Sequence, residues 1–289
     1  MAIPYVSVNS WGGSGGIQPY GIIVFLGLIA GGYAMVRAGK RFGIAVADTV
    51  GLAGILAGAA VVTSHVFDVA FYQWHDGARD PALWIRMFVG NSLFGALLGV
   101  AIALHLWARV RRLDLALHAD LAAVGCIVAM TIGRIGCTLV HDHPGTPTDA
   151  PIGVDYPIEV VRYLYPEQPP GTTIRLHDLG LYELALLLPL VAAAFVLIRR
   201  RLRAGMTAAI LAIAYACVRF PLDFLRGPSN DPRHAGLTAA QWGCLVMVAV
   251  AILAIRRLRS AGAIAPLASE LGGAPGGRRR GELPPARTT

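Results

Sequence analysis

The feature that most constrains this chain is a series of seven apolar runs, each about long enough to cross a lipid bilayer. A helix needs roughly 20 apolar residues to span the hydrocarbon of a bilayer. No water is present there, so the backbone must satisfy its own hydrogen bonds, and apolar runs of this length predict helices. We place the seven helices at residues 17–36, 44–65, 84–107, 116–137, 180–198, 207–225 and 238–255. The predicted fold class is an all-α polytopic membrane protein.

Basic residues cluster after every second run, and this alternation predicts the topology. The clusters lie at residues 37–41, 109–112, 199–203 and 256–259. Cytosolic loops of membrane proteins collect lysine and arginine, so each cluster marks a cytosolic end. We therefore expect the N-terminus outside the cytosol, the C-terminus inside, and outer loops at 66–83, 138–179 and 226–237. The net charge of +8 follows from these clusters, and no nucleic-acid partner is implied.

The composition excludes a soluble protein and bounds the domain organisation. Apolar residues make up 55% of the chain and charged residues only 15%, whereas soluble domains carry about a quarter charged residues. We expect one membrane domain over residues 1–261, with outer loop 138–179, and a disordered cytosolic tail over 262–289. No basic segment precedes the first run, so we expect the first helix to be retained. Gly51, Gly54 and Gly58 are spaced for close packing of the second helix.

Two arginines lie inside apolar runs, where a charged side chain costs several kcal/mol unless it faces a partner or a wet cavity. They are Arg134 in the fourth run and Arg219 in the sixth. Both lie toward the outer ends of their helices, so snorkelling to the interface is the simpler alternative. Their equal depth favours convergence on one anion. The planar guanidinium suits phosphate, and lipid headgroups are the abundant phosphates of a bilayer.

A polar face is also predicted on the sixth helix. Tyr215, Arg219, Asp223 and Arg226 follow the spacing i, i+4, i+8 and i+11, which stacks them along one side. An isolated Arg–Asp pair is often only structural. Four polar residues on one face of a membrane helix instead favour a cavity lining.

Histidines form the third signal, because six of the eight fall on the predicted outer side. His141, Asp142 and His143 follow directly after the helix that contains Arg134. Imidazole suits proton transfer near neutral pH, so His141 and His143 are candidate general bases. The simpler alternative is that they are solvated loop residues. Two histidines without a clear third ligand are weak support for zinc, and we predict no metal and no cofactor.

These residues together resemble the prolipoprotein diacylglyceryl transferase family. The family has seven helices with the N-terminus outside, and the resemblance covers most of residues 17–255. Its motifs are similar to Tyr20-Gly21, to GRIGCTLVHDHPG from Gly133 to Gly145, to His177 followed by Leu181-Tyr182-Glu183, to the polar face of the sixth helix, and to Gln241. Two positions differ in kind. Phe94 stands where the family has a histidine important for activity, and Cys137 replaces the signature asparagine. Asp142 and Asp223 stand where the family has glutamate.

The resemblance implies a reaction in the bacterial inner membrane, with the active site toward its outer face. The thiol of the lipobox cysteine in a prolipoprotein signal peptide attacks phosphatidylglycerol, a thioether forms, and glycerol phosphate leaves. Arg134, Arg219 and Arg226 would bind the lipid phosphate, and Tyr20 and Gly145 would align the substrates. His141, His143, Asp142, Asp223 and Tyr215 would serve catalysis.

Three alternatives stay open at the level of sequence. A paralogue would use the same lipid cavity with another nucleophile or headgroup. A non-catalytic phospholipid-binding protein would keep the two intramembrane arginines but need no base. A metal-dependent membrane hydrolase would use His141, His143, His65 and Asp68.

Overall fold

The computed structural model describes residues 3–8, 19–86, 90–200, 202–227 and 233–260. In chain order its helices are α1 (Pro19–Arg41), α2 (Val46–Phe71), α3 (Trp74–Arg79), α4 (Leu93–Arg111), α5 (Leu115–Val140), α6 (Ile158–Val161), α7 (Leu179–Leu197), α8 (Met206–Leu222) and α9 (Ala239–Ser260). Seven of these described helices, all except α3 and α6, are long and apolar enough to cross a membrane, which confirms the predicted number. The predicted disordered tail over 262–289 lies outside the described residues.

The third spanning helix begins later than predicted. We expected it from residue 84, but α4 begins at Leu93. Pro81–Ile85 instead forms a 3₁₀ turn, capped by the Asp80 carboxylate, which accepts from the backbone N–H of Ala82. Ser92 then caps α4 by accepting from the N–H of Gly95. Each cap satisfies an amide that the first turn leaves unpaired, so local capping outweighs the apolar run.

A small β-sheet is the main feature that the all-α prediction omitted. Its strands are β1 (Ile3–Pro4), β2 (Pro144–Pro147), β3 (Val154–Pro157) and β4 (Thr173–Asp178), in the order β1-β3-β4-β2. β4 pairs antiparallel with β2 and β3, and β1 pairs parallel with β3. Inward-facing side chains make a compact core, formed by Val154, Tyr156, Ile158, Val161 and Leu176. A second pair of strands, β5 (Arg233–His234) and β6 (Leu237–Thr238), precedes α9.

The chain divides into two compact units. The first comprises Met1–Gly31, Cys126–Ala193 and Ala212–Ala249, and it contains the four-stranded sheet. The second comprises Gly32–Gly125, Ala194–Leu211 and Val250–Thr289, and α2 and α4 lie entirely within it.

Close packing in the second unit uses different glycines from those predicted. A Cβ added at Gly54 or Gly58 of α2 would meet nothing within 4 Å. A Cβ at Gly95 of α4 would lie 2.7 Å from the carbonyl oxygen of Thr63, and one at Gly99 would lie 2.7 Å from that of Ala59. The backbone of α2 therefore packs directly against the glycines of α4, and the predicted role of Gly54 and Gly58 is wrong.

Candidate active site

Two arginines from different helices meet at one buried carboxylate in the first unit. Nη2 of Arg134 on α5 lies 2.8 Å from Oε2 of Glu183 on α7. Nη1 of Arg219 on α8 lies 3.7 Å from the same oxygen. All three side chains are buried. The two guanidinium groups therefore converge, as their shared depth suggested, and a carboxylate of the chain itself lies between them.

The polar face of α8 belongs to the same network. The hydroxyl of Tyr215 donates to Oε1 of Glu183 over 3.0 Å. Asp223 begins a 3₁₀ turn directly after α8, and its Oδ1 lies 2.7 Å from Nη1 of Arg219 and 3.2 Å from Nε of Arg226. The i, i+4 spacing places Tyr215, Arg219 and Asp223 about one helical turn apart, as the sequence predicted, although α8 ends before Asp223 and Arg226.

The start of α9 fixes the position of Asp223. Thr238 donates its hydroxyl proton to Oδ2 of Asp223, and the N–H of Thr238 donates to Oε1 of Gln241 over 3.0 Å. The amide of Gln241 in turn donates to the carbonyl of Phe220. A buried carboxylate must have its acceptors filled, so Thr238 holds Asp223 toward the arginines and Gln241 holds Thr238 in place.

The cluster leaves one buried guanidinium nitrogen without an acceptor. Three arginines, Arg134, Arg219 and Arg226, face two carboxylates, Glu183 and Asp223. Within the part of the chain that the structure describes, Nε of Arg219 has no hydrogen-bond acceptor. An unsatisfied buried donor is costly unless an acceptor completes it. A bound anion would supply that acceptor to Arg219.

His143 lies beside this cluster and has a defined tautomer. Nη1 of Arg134 donates to Nε2 of His143 over 3.2 Å, so Nε2 carries a lone pair rather than a proton. The proton is on Nδ1, which donates to Asp142. Burial lowers the pKa of His143 below its ordinary value of 6.5, and the charge of Arg134 acts in the same direction, while Asp142 opposes both. His143 is thus neutral at neutral pH, with Asp142 orienting the ring.

Arg134 also reaches Cys137, one turn further along α5. Nη1 lies 3.5 Å from Sγ of Cys137, so the same nitrogen donates to the sulfur and to His143. Tyr20 on α1 lies against the same turn of α5, because a Cβ on Gly136 would meet the Tyr20 ring at 3.1 Å. Gly136 therefore lets Tyr20 lie close to α5 beside the arginine.

A cavity of about 230 Å³ opens beside His143 and Arg226. It is lined by Asp142, His143, Pro144, Tyr163, Leu179 and Arg226. The charged and ring atoms at its wall belong to the paired His143 and Asp142 and to Arg226 of the arginine cluster. Tyr163 is the one aromatic residue of this lining, and its side chain is largely exposed. The volume is sufficient for a phosphate with a short polar substituent.

His141 occupies a different environment from His143. Its Nδ1 is paired with Asp178, and its Nε2 lies 3.2 Å from the carbonyl of Val6. Tyr5 packs over the imidazole at 4.7 Å between ring centroids, and the ring is buried. Both ring nitrogens therefore face acceptors. The contacts with Tyr5 and Val6 hold these two residues against the end of α5. The geometry supports a positioning role for His141.

Gly145 is placed where no side chain fits. A Cβ there would lie 2.6 Å from the carbonyl oxygen of Leu225 and 3.0 Å from that of His177. Gly145 also bridges to Arg226, and its own carbonyl accepts from the hydroxyl of Tyr165. The close approach keeps β2 against the end of α8 and holds Arg226 beside His143. Its effect on the lipid site is through these neighbours.

Comparison with known proteins gives the same family as the sequence motifs. The sequence profile described as Prolipoprotein diacylglyceryl transferase matches residues 10–257. A phosphatidylglycerol–prolipoprotein diacylglyceryl transferase from Chromohalobacter salexigens is 33% identical over 82% of this chain and 85% of its own length. Transferases of the same name from Geobacter sulfurreducens and Synechococcus elongatus are 29% and 28% identical, over 72% and 83% of this chain and 77% and 82% of their own lengths. The chain belongs to the prolipoprotein diacylglyceryl transferase family.

Glu183 is the main residue of the site that the sequence prediction omitted. It appeared among the family motifs but was assigned no role, yet it contacts both intramembrane arginines and Tyr215. The available signal was the rule already applied to the arginines, because a lone glutamate in the apolar fifth run also needs a buried partner. Tyr163 gave no comparable signal, because only the fold brings it to the cavity.

The positions of the potential metal ligands argue against the metal-dependent hydrolase alternative. Among the described residues, one group of three potential ligands converges, namely Cys137, Asp142 and His143. Both ring nitrogens of His65 face backbone carbonyls, those of Gly90 and Leu83, and Asp68 accepts from the amide of Gln73. His65 is therefore used to anchor the segment between α2 and α4, and the four residues of the hydrolase alternative do not form the converging set.

Proposed function

We propose that the chain transfers the diacylglyceryl group of phosphatidylglycerol to the lipobox cysteine thiol of prolipoproteins. The thiol sulfur attacks the glycerol carbon that bears the phosphate ester, the carbon–oxygen bond breaks, and glycerol phosphate departs. One observation carries the proposal. A buried cluster of three arginines and two carboxylates leaves Nε of Arg219 without an acceptor, and it adjoins a cavity beside a neutral histidine.

Arg134 and Arg219 are assigned to the phosphate. In the substrate complex the phosphate oxygens accept from Nε of Arg219 and from a guanidinium N–H of Arg134, while Glu183 keeps both side chains in place. Negative charge grows on the departing phosphate oxygen in the transition state. Donors aimed in advance at that charge stabilise it without further reorganisation.

His143 is assigned to the proton of the thiol. A free thiol has a pKa near 8.5 and is mostly protonated at neutral pH, so attack needs a base or a positive field. The lone pair on Nε2 of His143 is suited to this, with Asp142 holding the opposite nitrogen. In the structure Nη1 of Arg134 donates to that lone pair. Rotation of Nη1 toward the phosphate would leave Nε2 free to accept a proton. The thiol proton would then move to Nε2 as the carbon–sulfur bond forms.

The remaining predicted residues support this arrangement. Tyr215 orients Glu183, and Asp223 holds Arg219 and Arg226. Tyr20 lies against Gly136, so it would border the bound lipid beside Arg134. Gly145 keeps Arg226 at the cavity, and His141 anchors the N-terminal residues.

The membrane orientation belongs to the same proposal. We assign the N-terminus to the outside of the bacterial inner membrane and the C-terminus to the cytosol, from the four basic clusters. The loop of residues 138–179 is then outside, together with Asp142 and His143. A prolipoprotein signal peptide would present its lipobox cysteine from the bilayer to this side.

The test is lipidation of a lipobox peptide by the purified protein in vesicles of phosphatidylglycerol. We expect a thioether-linked diacylglyceryl product detected by mass spectrometry, and none from a peptide with serine in place of cysteine. Arg134→Lys and Arg219→Lys should each slow the reaction roughly 30- to 1,000-fold, equivalent to about 2–4 kcal/mol, because lysine lacks the fork. Arg175→Lys, in an ion pair with Asp155 on the sheet, is the matched control and should be near normal.

The presence of Phe94 gives the non-catalytic alternative a specific basis, since the family resemblance places a histidine there. That alternative predicts phosphatidylglycerol binding without product formation, and no rescue of a strain depleted of its own diacylglyceryl transferase. Binding without turnover in both assays would overturn the transferase proposal. Near-normal turnover by both lysine variants would overturn the arginine assignment alone.

A further inference from the structure

Three side chains of different chemistry converge beside the cavity. A ligand atom from each of Cys137, Asp142 and His143 lies within 4.8 Å of the other two. Cys137 is buried, His143 is partly buried, and Asp142 is exposed. The cavity is lined by Asp142 and His143, and the buried sulfur of Cys137 lies within 4.8 Å of a ligand atom of each.

The donor set of one sulfur, one imidazole nitrogen and one carboxylate oxygen is typical of zinc. Zinc binds these atoms at about 2.0–2.3 Å in a tetrahedral arrangement, so its ligands lie about 3.5 Å apart. Sγ of Cys137 and Nε2 of His143 already face a common point, whereas Asp142 is paired with Nδ1 of His143. The exposed Asp142 side chain would have to leave Nδ1 and rotate toward Nε2 to complete the set. The set leaves a fourth position open, which water would fill. Hard cations such as magnesium prefer oxygen ligands and fit this set poorly.

Arg134 now holds the place that a metal ion would take. Its Nη1 lies 3.5 Å from Sγ of Cys137 and 3.2 Å from Nε2 of His143, so one cationic nitrogen bridges both donors. Displacing Nη1 need not free the side chain, because Nη2 keeps Glu183 at 2.8 Å. The positive charge of Arg134 opposes a second cation, whereas Asp142 and the thiolate formed at Cys137 favour it.

We propose that Cys137, Asp142 and His143 form an inhibitory binding site for zinc. Binding deprotonates Cys137, whose proton passes to solvent, and the metal takes the lone pair of His143. The ring can then no longer accept the proton of a substrate thiol, and Arg134 is displaced from its present partners. Metal binding stands independently of catalysis, and its inhibitory effect rests on the proposed function.

The binding arm uses cobalt as a spectroscopic probe for zinc, on full-length protein in detergent. Thiolate coordination to cobalt gives a charge-transfer absorption in the near ultraviolet, which zinc should abolish by competition. We expect this band in the wild type and in Cys217→Ser, whose exposed cysteine lies outside the cluster. It should be absent from Cys137→Asn, which restores the residue that the family resemblance expects. No band in the wild type, or the same band in Cys137→Asn, would overturn the site whatever the activity.

The activity arm follows lipidation at increasing zinc, with each variant compared with its own metal-free rate. Loss of a general base lowers a reaction rate by about 100-fold or more. Saturating zinc should therefore slow lipidation by the wild type by that factor, and a chelator should restore the rate. Cys217→Ser should respond like the wild type, while Cys137→Asn should lose most of the inhibition. Zinc captured by the peptide thiol affects all variants alike and cancels in this comparison. Equal inhibition of Cys137→Asn, or a faster reaction with zinc, would overturn the inhibitory role.

Discussion

Single residues decide the pH dependence expected at the site. His143 must be unprotonated to act as a base, and burial places its pKa below 6.5. The rate should therefore be steady at neutral pH and fall as the pH drops through that lowered pKa. Asp142 raises the pKa of His143, so Asp142→Asn should move the acid limb to lower pH. It should also lower the maximal rate about 10- to 100-fold, because the ring loses its orienting partner.

The measurement is the lipidation rate at saturating substrate over a range of buffers. Asp155→Asn is the matched control, because Asp155 pairs with Arg175 on the sheet and has no contact with His143. Its profile should follow the wild type. An acid limb that moves to higher pH in Asp142→Asn, or stays unchanged, would contradict the assignment of the limb to His143.

At the scale of elements, the α2–α4 contact depends on Gly95 and Gly99. A Cβ at either position meets backbone oxygen, which cannot move without shifting a helix. Overpacking of this kind costs about 1–3 kcal/mol, so Gly99→Ala should lower the midpoint of thermal unfolding in detergent. Gly54→Ala is the control, because its Cβ meets nothing within 4 Å and alanine favours helix by about 1 kcal/mol. A Gly99→Ala protein as stable as the wild type would refute the close contact.

At the scale of the whole molecule, the charge distribution predicts one membrane orientation. Basic residues end α1, α4 and α9, and another cluster follows α7. With the four native cysteines replaced, Asp149→Cys should react with a membrane-impermeant maleimide in intact spheroplasts. Lys40→Cys should react only after permeabilisation, because it lies in a cytosolic cluster. The reverse pattern would invert the topology and place the cavity on the cytosolic side.

What the sequence alone determined is the class of protein, the number of spanning helices and the residues that break the membrane rule. These follow from properties that act along one segment. Three such properties are the length of an apolar run, the basic cluster beside it and a charge within it. Each has the same physical effect wherever the helix packs. The helical spacing of Tyr215, Arg219 and Asp223 is equally local, and the structure retains it.

Only the tertiary structure decided which groups meet. Glu183 acts through contacts with α5 and α8, and neither partner is near it in sequence. His141 and His143 are two residues apart, yet the left-handed backbone at His141 turns its ring to Asp178, while that of His143 reaches Arg134. The sheet escaped prediction because its strands are two to six residues long, too short for an alternating pattern. Such choices depend on which elements pack together, since pairing energies arise between segments rather than within them.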